Sequence, residues 1–246
     1  MKRLLKRLFV PLFASRPVSA LATAIVGRGI PIFMMHRMLV EGQPNTGTSP
    51  EHLRNCLTYL TENGYVFVSI EDVINALSNN TSLPEKAVVF TMDDGFYDQG
   101  RIAAPIFLEF ACPLTFFVIT DLLDNTLWPW DAQVSWIIDN TKNEDFCVEL
   151  DDETLHVELG DANKRRIARE TVRNILKEMD AEAIPALLQR LANAADVVIP
   201  QTPPSSFRPL DWDQARALEA QGIRFAPHSK THRILSKLPR EAARED

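Results

Sequence analysis

The stretch Ala87-Val88-Val89-Phe90-Thr91-Met92-Asp93-Asp94-Gly95 reads as a buried strand that delivers two carboxylates into a sharp turn. Residues 87–91 are apolar or β-branched without interruption, as a strand covered on both faces requires. Gly95 allows the chain to turn at once, which keeps both carboxylates near one cleft. Adjacent carboxylates repel unless a cation lies between them or one takes up a proton, so a metal ligand beside a general base is a sensible division of roles. An N-cap pair in an ordinary strand-to-helix loop has equal weight on Asp-Asp-Gly alone.

On either side the text alternates between strand and helix. Upstream, residues 30–35 form a short apolar run ending at His36. Ser49-Pro50-Glu51 then supplies an N-cap, an N1 proline and an acidic first turn for a helix stopping at Gly64. Residues 66–68 are a strand, and Ser69 caps a helix over 71–77. Downstream, a helix over 102–110 leads to an apolar strand over 114–119. Between about 121 and 205 charged helical segments predominate, at 162–179 and 181–195, and read as a helical insertion. Alternation resumes with Asp211-x-x-Gln214 as a capping box, a helix to Gly222 and a strand over 223–226. Repeated strand-then-helix units predict an α/β fold with a parallel sheet, open or closed into a barrel. Ligands of such sheets gather at the carboxyl ends of the strands, where His36, Asp93, Asp94 and His228 all fall.

His228-Ser229-Lys230-Thr231-His232 holds two of the five histidines, four residues apart. A helical turn would bring both imidazoles onto one face, an arrangement suited to zinc or a related transition metal. Alone, such a pair is more often surface or core. A carboxylate at a neighbouring strand end favours the ligand reading. His52 and His156 lie in segments without other ligand candidates.

A chain of 246 residues that is 46% hydrophobic can bury one large core or two small ones. Cys56, Cys112 and Cys147 are odd in number and widely spaced, and read as buried thiols in a reducing compartment rather than a disulfide framework. The net charge of −7 is uneven, because seven of the 26 Lys and Arg and none of the 33 acids lie in residues 1 to 40. Interleaved with Leu4, Leu5, Leu8, Phe9, Leu12 and Phe13, they make residues 1–29 a basic amphipathic segment suited to peripheral contact with an anionic membrane. A poor signal peptide and an ordinary packing helix are the alternatives. The location expected is cytoplasmic or at the inner face of a membrane, with export as the second reading. No run of ~18 apolar residues is present to span a bilayer.

Thr91-Met92-Asp93-Asp94-Gly95 resembles the T-F-D-D-G motif of polysaccharide deacetylases, the NodB-homology or carbohydrate esterase family 4-like group. His228 to His232 resembles their H-[ST]-x-x-H motif, in the expected order. The flanks Pro31-Ile32-Phe33-Met34-Met35-His36-Arg37, Ala111-Cys112-Pro113-Leu114-Thr115-Phe116-Phe117-Val118 and Leu210-Asp211-Trp212 are similar too, so the resemblance spans residues 30–246 with little from 121–205. It implies a deformed (β/α) barrel, incomplete here and carrying the helical insertion, as a catalytic domain over 30–246. It implies Asp93 as general base, and Asp94, His228 and His232 as ligands of a divalent metal, zinc foremost. The activity implied is hydrolytic removal of N-acetyl groups from an acetylated polysaccharide or amino sugar, with no nucleic-acid partner.

The resemblance also makes His36 the candidate acid for the departing amine, as in members with an early L-x-Y-H strand; Met35 stands where that pattern has tyrosine. A buried structural histidine is equally open. A backbone N–H of Phe96 or Tyr97 is expected to face the developing oxyanion. Trp128, Trp130 and Trp212 are candidates for stacking on sugar rings, and equally for the core. The chain runs fourteen residues past His232, whereas the family continues into further strands. Exposed strand edges and impaired activity are therefore expected. Two rivals remain. A magnesium phosphotransfer site is disfavoured by the imidazoles. A metal-binding but inactive carbohydrate-binding or membrane-peripheral protein fits the same residues.

Overall fold

The computed structural model describes residues 29–42, 47–150 and 154–246. The basic segment expected over 1–29 lies outside them except for Gly29, and no helix among the described residues is long and apolar enough to cross a membrane. The elements run β1 (Ile32–Met35), α1 (Pro50–Glu62), β2 (Val66–Phe67), α2 (Ile70–Asn79), β3 (Ala87–Asp94), α3 (Ala104–Glu109), β4 (Leu114–Val118) and α4 (Thr120–Leu123). They continue through α5 (Trp130–Asn140), β5 (Asp145–Glu149), β6 (Thr154–Glu158), α6 (Ala162–Glu178), α7 (Ile184–Ala194), α8 (Trp212–Glu219), β7 (Arg224–Pro227) and α9 (Arg240–Glu245).

All eight residues of β3 are buried, as its unbroken apolar run demands. It is the centre of a parallel sheet ordered β1-β3-β4-β7, with β2 paired to its first two residues. The five strands are those anticipated from the sequence. Leu53 and Leu57 of α1 and Ile106 and Phe107 of α3 pack with Val88, Phe90, Met92, Leu114 and Phe116 in the main core. The helix starts follow local chemistry: Ser49 Oγ accepts from His52 N–H at 3.1 Å, and Asp211 with Gln214 forms the expected capping box on α8.

The described strands form an open parallel sheet with β1 and β7 as its outer strands, and closure into a barrel is not seen among them. Two expectations need correction. The segment read as a helical insertion also holds the antiparallel pair β5–β6, whose Phe146, Val148 and Val157 share a separate core with α5, α6 and α7. Of the three thiols only Cys112 is buried, while Cys56 is half-buried and Cys147 exposed on β5. On the outer strand β1, Ile32, Phe33 and Met34 are 52%, 45% and 62% exposed.

Candidate metal centre

Strand register sets the level of the site. Met35 pairs with Met92, Asp94 with Val118, and Val118 with Pro227, so the strands ending in His36, Asp93-Asp94 and His228 stop at one height. Beyond β3 the backbone turns through two residues in the left-handed region, Asp94 at φ 87° and Gly95 at φ 95°. A Cβ at position 95 would stand 2.7 Å from Leu123 Cδ1 and 3.1 Å from Val118 Cγ1, so space as well as conformation requires glycine.

The segment 228–232 is not the expected helical turn. His228 N–H continues the pairing with Val118 O at 2.8 Å, and then Ser229 (φ 62°) and His232 (φ 60°) bend the chain back. Ser229 Oγ accepts from His232 N–H at 3.0 Å and closes the loop. The imidazoles still converge, with ring centroids 5.2 Å apart. Three positive-φ residues other than glycine at one site are strain of the kind that surrounding structure retains for function.

Ligand atoms of Asp94, His228 and His232 all lie within 4.8 Å of one another. Asp94 Oδ1 is buried without a hydrogen-bond partner and faces His228 Nε2 at 3.9 Å and His232 Nε2 at 3.7 Å. Those gaps exceed a hydrogen bond. They are nearer the separation of two ligands that share one ion at ~2.0–2.2 Å each, and two imidazoles with one carboxylate are a donor set that zinc accepts. Burial pushes the Asp94 carboxyl up to about 6, helped by Asp131 and opposed by His232. Burial likewise holds the His228 imidazole below its ordinary value. For His232 burial acts in the same direction, but Asp131, Asp94 and Asp93 outweigh it and raise the value.

His36 Nε2 stands 3.9 Å from Asp93 Oδ2, and the His36 side chain is half-exposed rather than buried. Two residues just after the turn hold it there, and the sequence reading did not single them out. Gln99 Nε2 donates to both His36 O and Asp93 O, while its Oε1 accepts from Gly95 N–H at 3.1 Å. Asp98 accepts from Arg37 Nε at 3.0 Å and from Met38 N–H at 2.6 Å. Burial raises the Asp98 carboxyl against the pull of Arg37 and Met38 N–H. Tyr97 N–H donates to Arg208 O at 2.8 Å, which leaves Phe96 N–H as the remaining candidate of the two backbone donors.

The site opens into a cavity of about 520 Å³ whose far wall includes Asp131, Ser135 and Arg173 from α5 and α6. Asp131 is a third residue missed, with Oδ1 3.4 Å from His232 Nδ1. Its only sequence signal was the tryptophan-rich run before α5. Of the three tryptophans considered, Trp128 packs in a core with Phe96 and Phe207, and Trp130 Nε1 donates to His232 O at 3.4 Å. Trp212 is 37% exposed and donates to Asp124 Oδ1 at 2.6 Å.

An Asp-Asp-Gly turn and a His-x-x-x-His loop at the carboxyl ends of one parallel sheet combine the two motifs of polysaccharide deacetylases, and the chain is similar to that class. Over 84 residues, 34% of this chain, it is 37% identical to the poly-beta-1,6-N-acetyl-D-glucosamine N-deacetylase of Escherichia coli (strain K12), covering 12% of that protein. Among solved structures, the Streptococcus pyogenes deacetylase PplD in complex with acetate is 20% identical, with a TM-score of 0.49 over 87% of this chain and 62% of that one. IcaB from Ammonifex degensii is 14% identical, with a TM-score of 0.36 over 89% of this chain and 96% of that one. No family model matches the chain.

Proposed function

We propose that the protein is a metal-dependent hydrolase that removes N-acetyl groups from an acetylated polysaccharide or amino sugar. The observation that carries the reading is the convergence of Asp94, His228 and His232 around a buried, unpartnered carboxylate oxygen, with Asp93 and His36 beside it. Asp94, His228 and His232 hold a divalent metal, of which zinc best suits the donor set. When bound, the metal lowers the pKa of water and polarises the acetyl carbonyl. Asp93 takes the proton from the water whose oxygen bonds to the acetyl carbon. His36 gives a proton to the nitrogen as the C–N bond breaks, so that acetate and a free amine leave. Phe96 N–H donates to the carbonyl oxygen as it gains charge.

The partial match to a poly-beta-1,6-N-acetyl-D-glucosamine N-deacetylase makes that polymer the first substrate to try. Purified protein is expected to carry one equivalent of metal and to release acetate and free amine in equal amounts. Metal without acetate release across acetylated glycans would favour the inactive metal-binding alternative. Neither metal nor release would sink both readings.

A further inference from the structure

We infer that Asp131, contributed by the helical layer rather than by the sheet, is the positioning residue that presents His232 Nε2 to the metal. The inference rests on the metal reading of the site. His232 Nδ1 and Asp131 Oδ1 are both buried, neither has a conventional hydrogen-bond partner, and they face each other at 3.4 Å. On the other side of the same ring, Nε2 faces the equally unpartnered Asp94 Oδ1 at 3.7 Å. Three buried polar atoms without partners thus fall in one chain of contacts, carboxylate to imidazole to carboxylate. A buried polar atom left alone is costly, so such a chain persists only if something completes it. A proton on Nδ1 satisfies the Asp131 end. The lone pair then falls on Nε2, directed at the gap shared with Asp94 and His228, where a cation satisfies the other end.

Asp131 is itself held firmly. It sits in the first turn of α5, and its backbone oxygen accepts from Arg173 on α6 at 3.2 and 3.4 Å. Arg173 also donates to Ser135 one turn further along α5. The neighbouring Trp130 indole donates to His232 O, so two consecutive residues of α5 grip one metal-facing histidine, at its ring and at its backbone. The layer with its own core is thereby part of the metal site's support rather than a lid over it.

Two measurements on the full chain test this. Zinc affinity, read by competition with a chelator, is expected to fall roughly 10–100-fold in Asp131→Asn. In the zinc-loaded unsubstituted protein, nitrogen NMR of His232 is expected to show the proton on Nδ1. Unchanged affinity in Asp131→Asn while His232→Ala loses zinc would overturn the inference and leave the metal reading intact. A proton found on Nε2 would overturn it equally, and decides the matter if Asp131→Asn does not fold. Zinc affinity that is untouched in Asp94→Asn, His228→Ala and His232→Ala alike would instead remove the metal reading beneath it.

Discussion

Asp93 and Asp94 are adjacent in sequence but differ in surroundings: Asp94 Oδ1 faces two imidazoles without a partner, whereas Asp93 faces His36. Asp93→Asn is therefore expected to keep its metal and lose turnover, and Asp94→Asn to lose metal affinity as well. Elemental analysis at matched protein concentration checks this, and equal loss in both would refute the division. The same surroundings set a pH dependence. A proton must leave each ligand before metal binds, and in the metal-free protein Asp94 keeps its proton up to about 6 while His232 holds its own above the ordinary imidazole value. Zinc affinity should consequently rise as pH passes through the Asp94 value of about 6 and on beyond the ordinary imidazole range, more steeply than for one proton. A flat profile in a competition titration would contradict it. His36 calls for a kinetic comparison. His36→Ala should slow cleavage of an acetylated amine far more than of an activated acetate ester, whose leaving group needs little protonation. Equal damage would mark it as structural. The four residues proposed for the metal and the base drew attention in the sequence because each lies in a short motif at a strand end, and the fold brings them to one level of the sheet. Gln99 and Asp131 did not, because their partners, His36 O and His232, are brought to them only by the folded sheet and the packing of α5.

Among the elements, the tightest constraint is the turn between β3 and the π-helical segment Gln99–Ala103. Gly95 combines φ 95° with a would-be Cβ contact of 2.7 Å to Leu123, so Gly95→Ala meets both backbone strain and overpacking. A loss of about 2–5 kcal/mol is expected, read from the denaturant midpoint. A change under ~1 kcal/mol would show that the turn can relax. Strands and caps were readable wherever signals were local: the apolar run of β3, the Ser49-Pro50 start of α1 and the Asp211–Gln214 box. The β5–β6 pair was missed although its text alternates, Phe146 and Val148 inward between Asp145, Cys147 and Glu149 outward. Charged helical text on its C-terminal side dominated the reading. The His228–His232 loop was misread for another reason. Spacing of four fits a helix, but two left-handed residues achieve the same convergence without one, and neither Ser229 nor His232 is the glycine that would announce that conformation.

At the scale of the molecule, the sheet is unevenly covered. β3 and β4 are enclosed, whereas β1 is an outer strand with Ile32, Phe33 and Met34 exposed. An apolar hollow of about 570 Å³ lies beside it, lined by Phe33, Met34, Tyr59 and Phe90 among others. The parallel order was legible in the alternation of strand and helix, and closure into a barrel is not seen among the described strands. Among the described residues no strand pairs with the outer side of β1, and such an edge next to an apolar hollow is a template for association with another chain. The chain is therefore expected to self-associate at micromolar concentration, and Ile32→Lys should weaken that association by about tenfold or more, since a lysine on an outer strand must keep its charge in water. Ile32 lies three residues before β1 ends at Met35, outside the set of groups that face the metal centre, so zinc affinity should be unaffected by the substitution. Sedimentation across a concentration series reads both chains. A parent chain that stays monomeric up to ~100 μM would show that the exposed strand is tolerated alone.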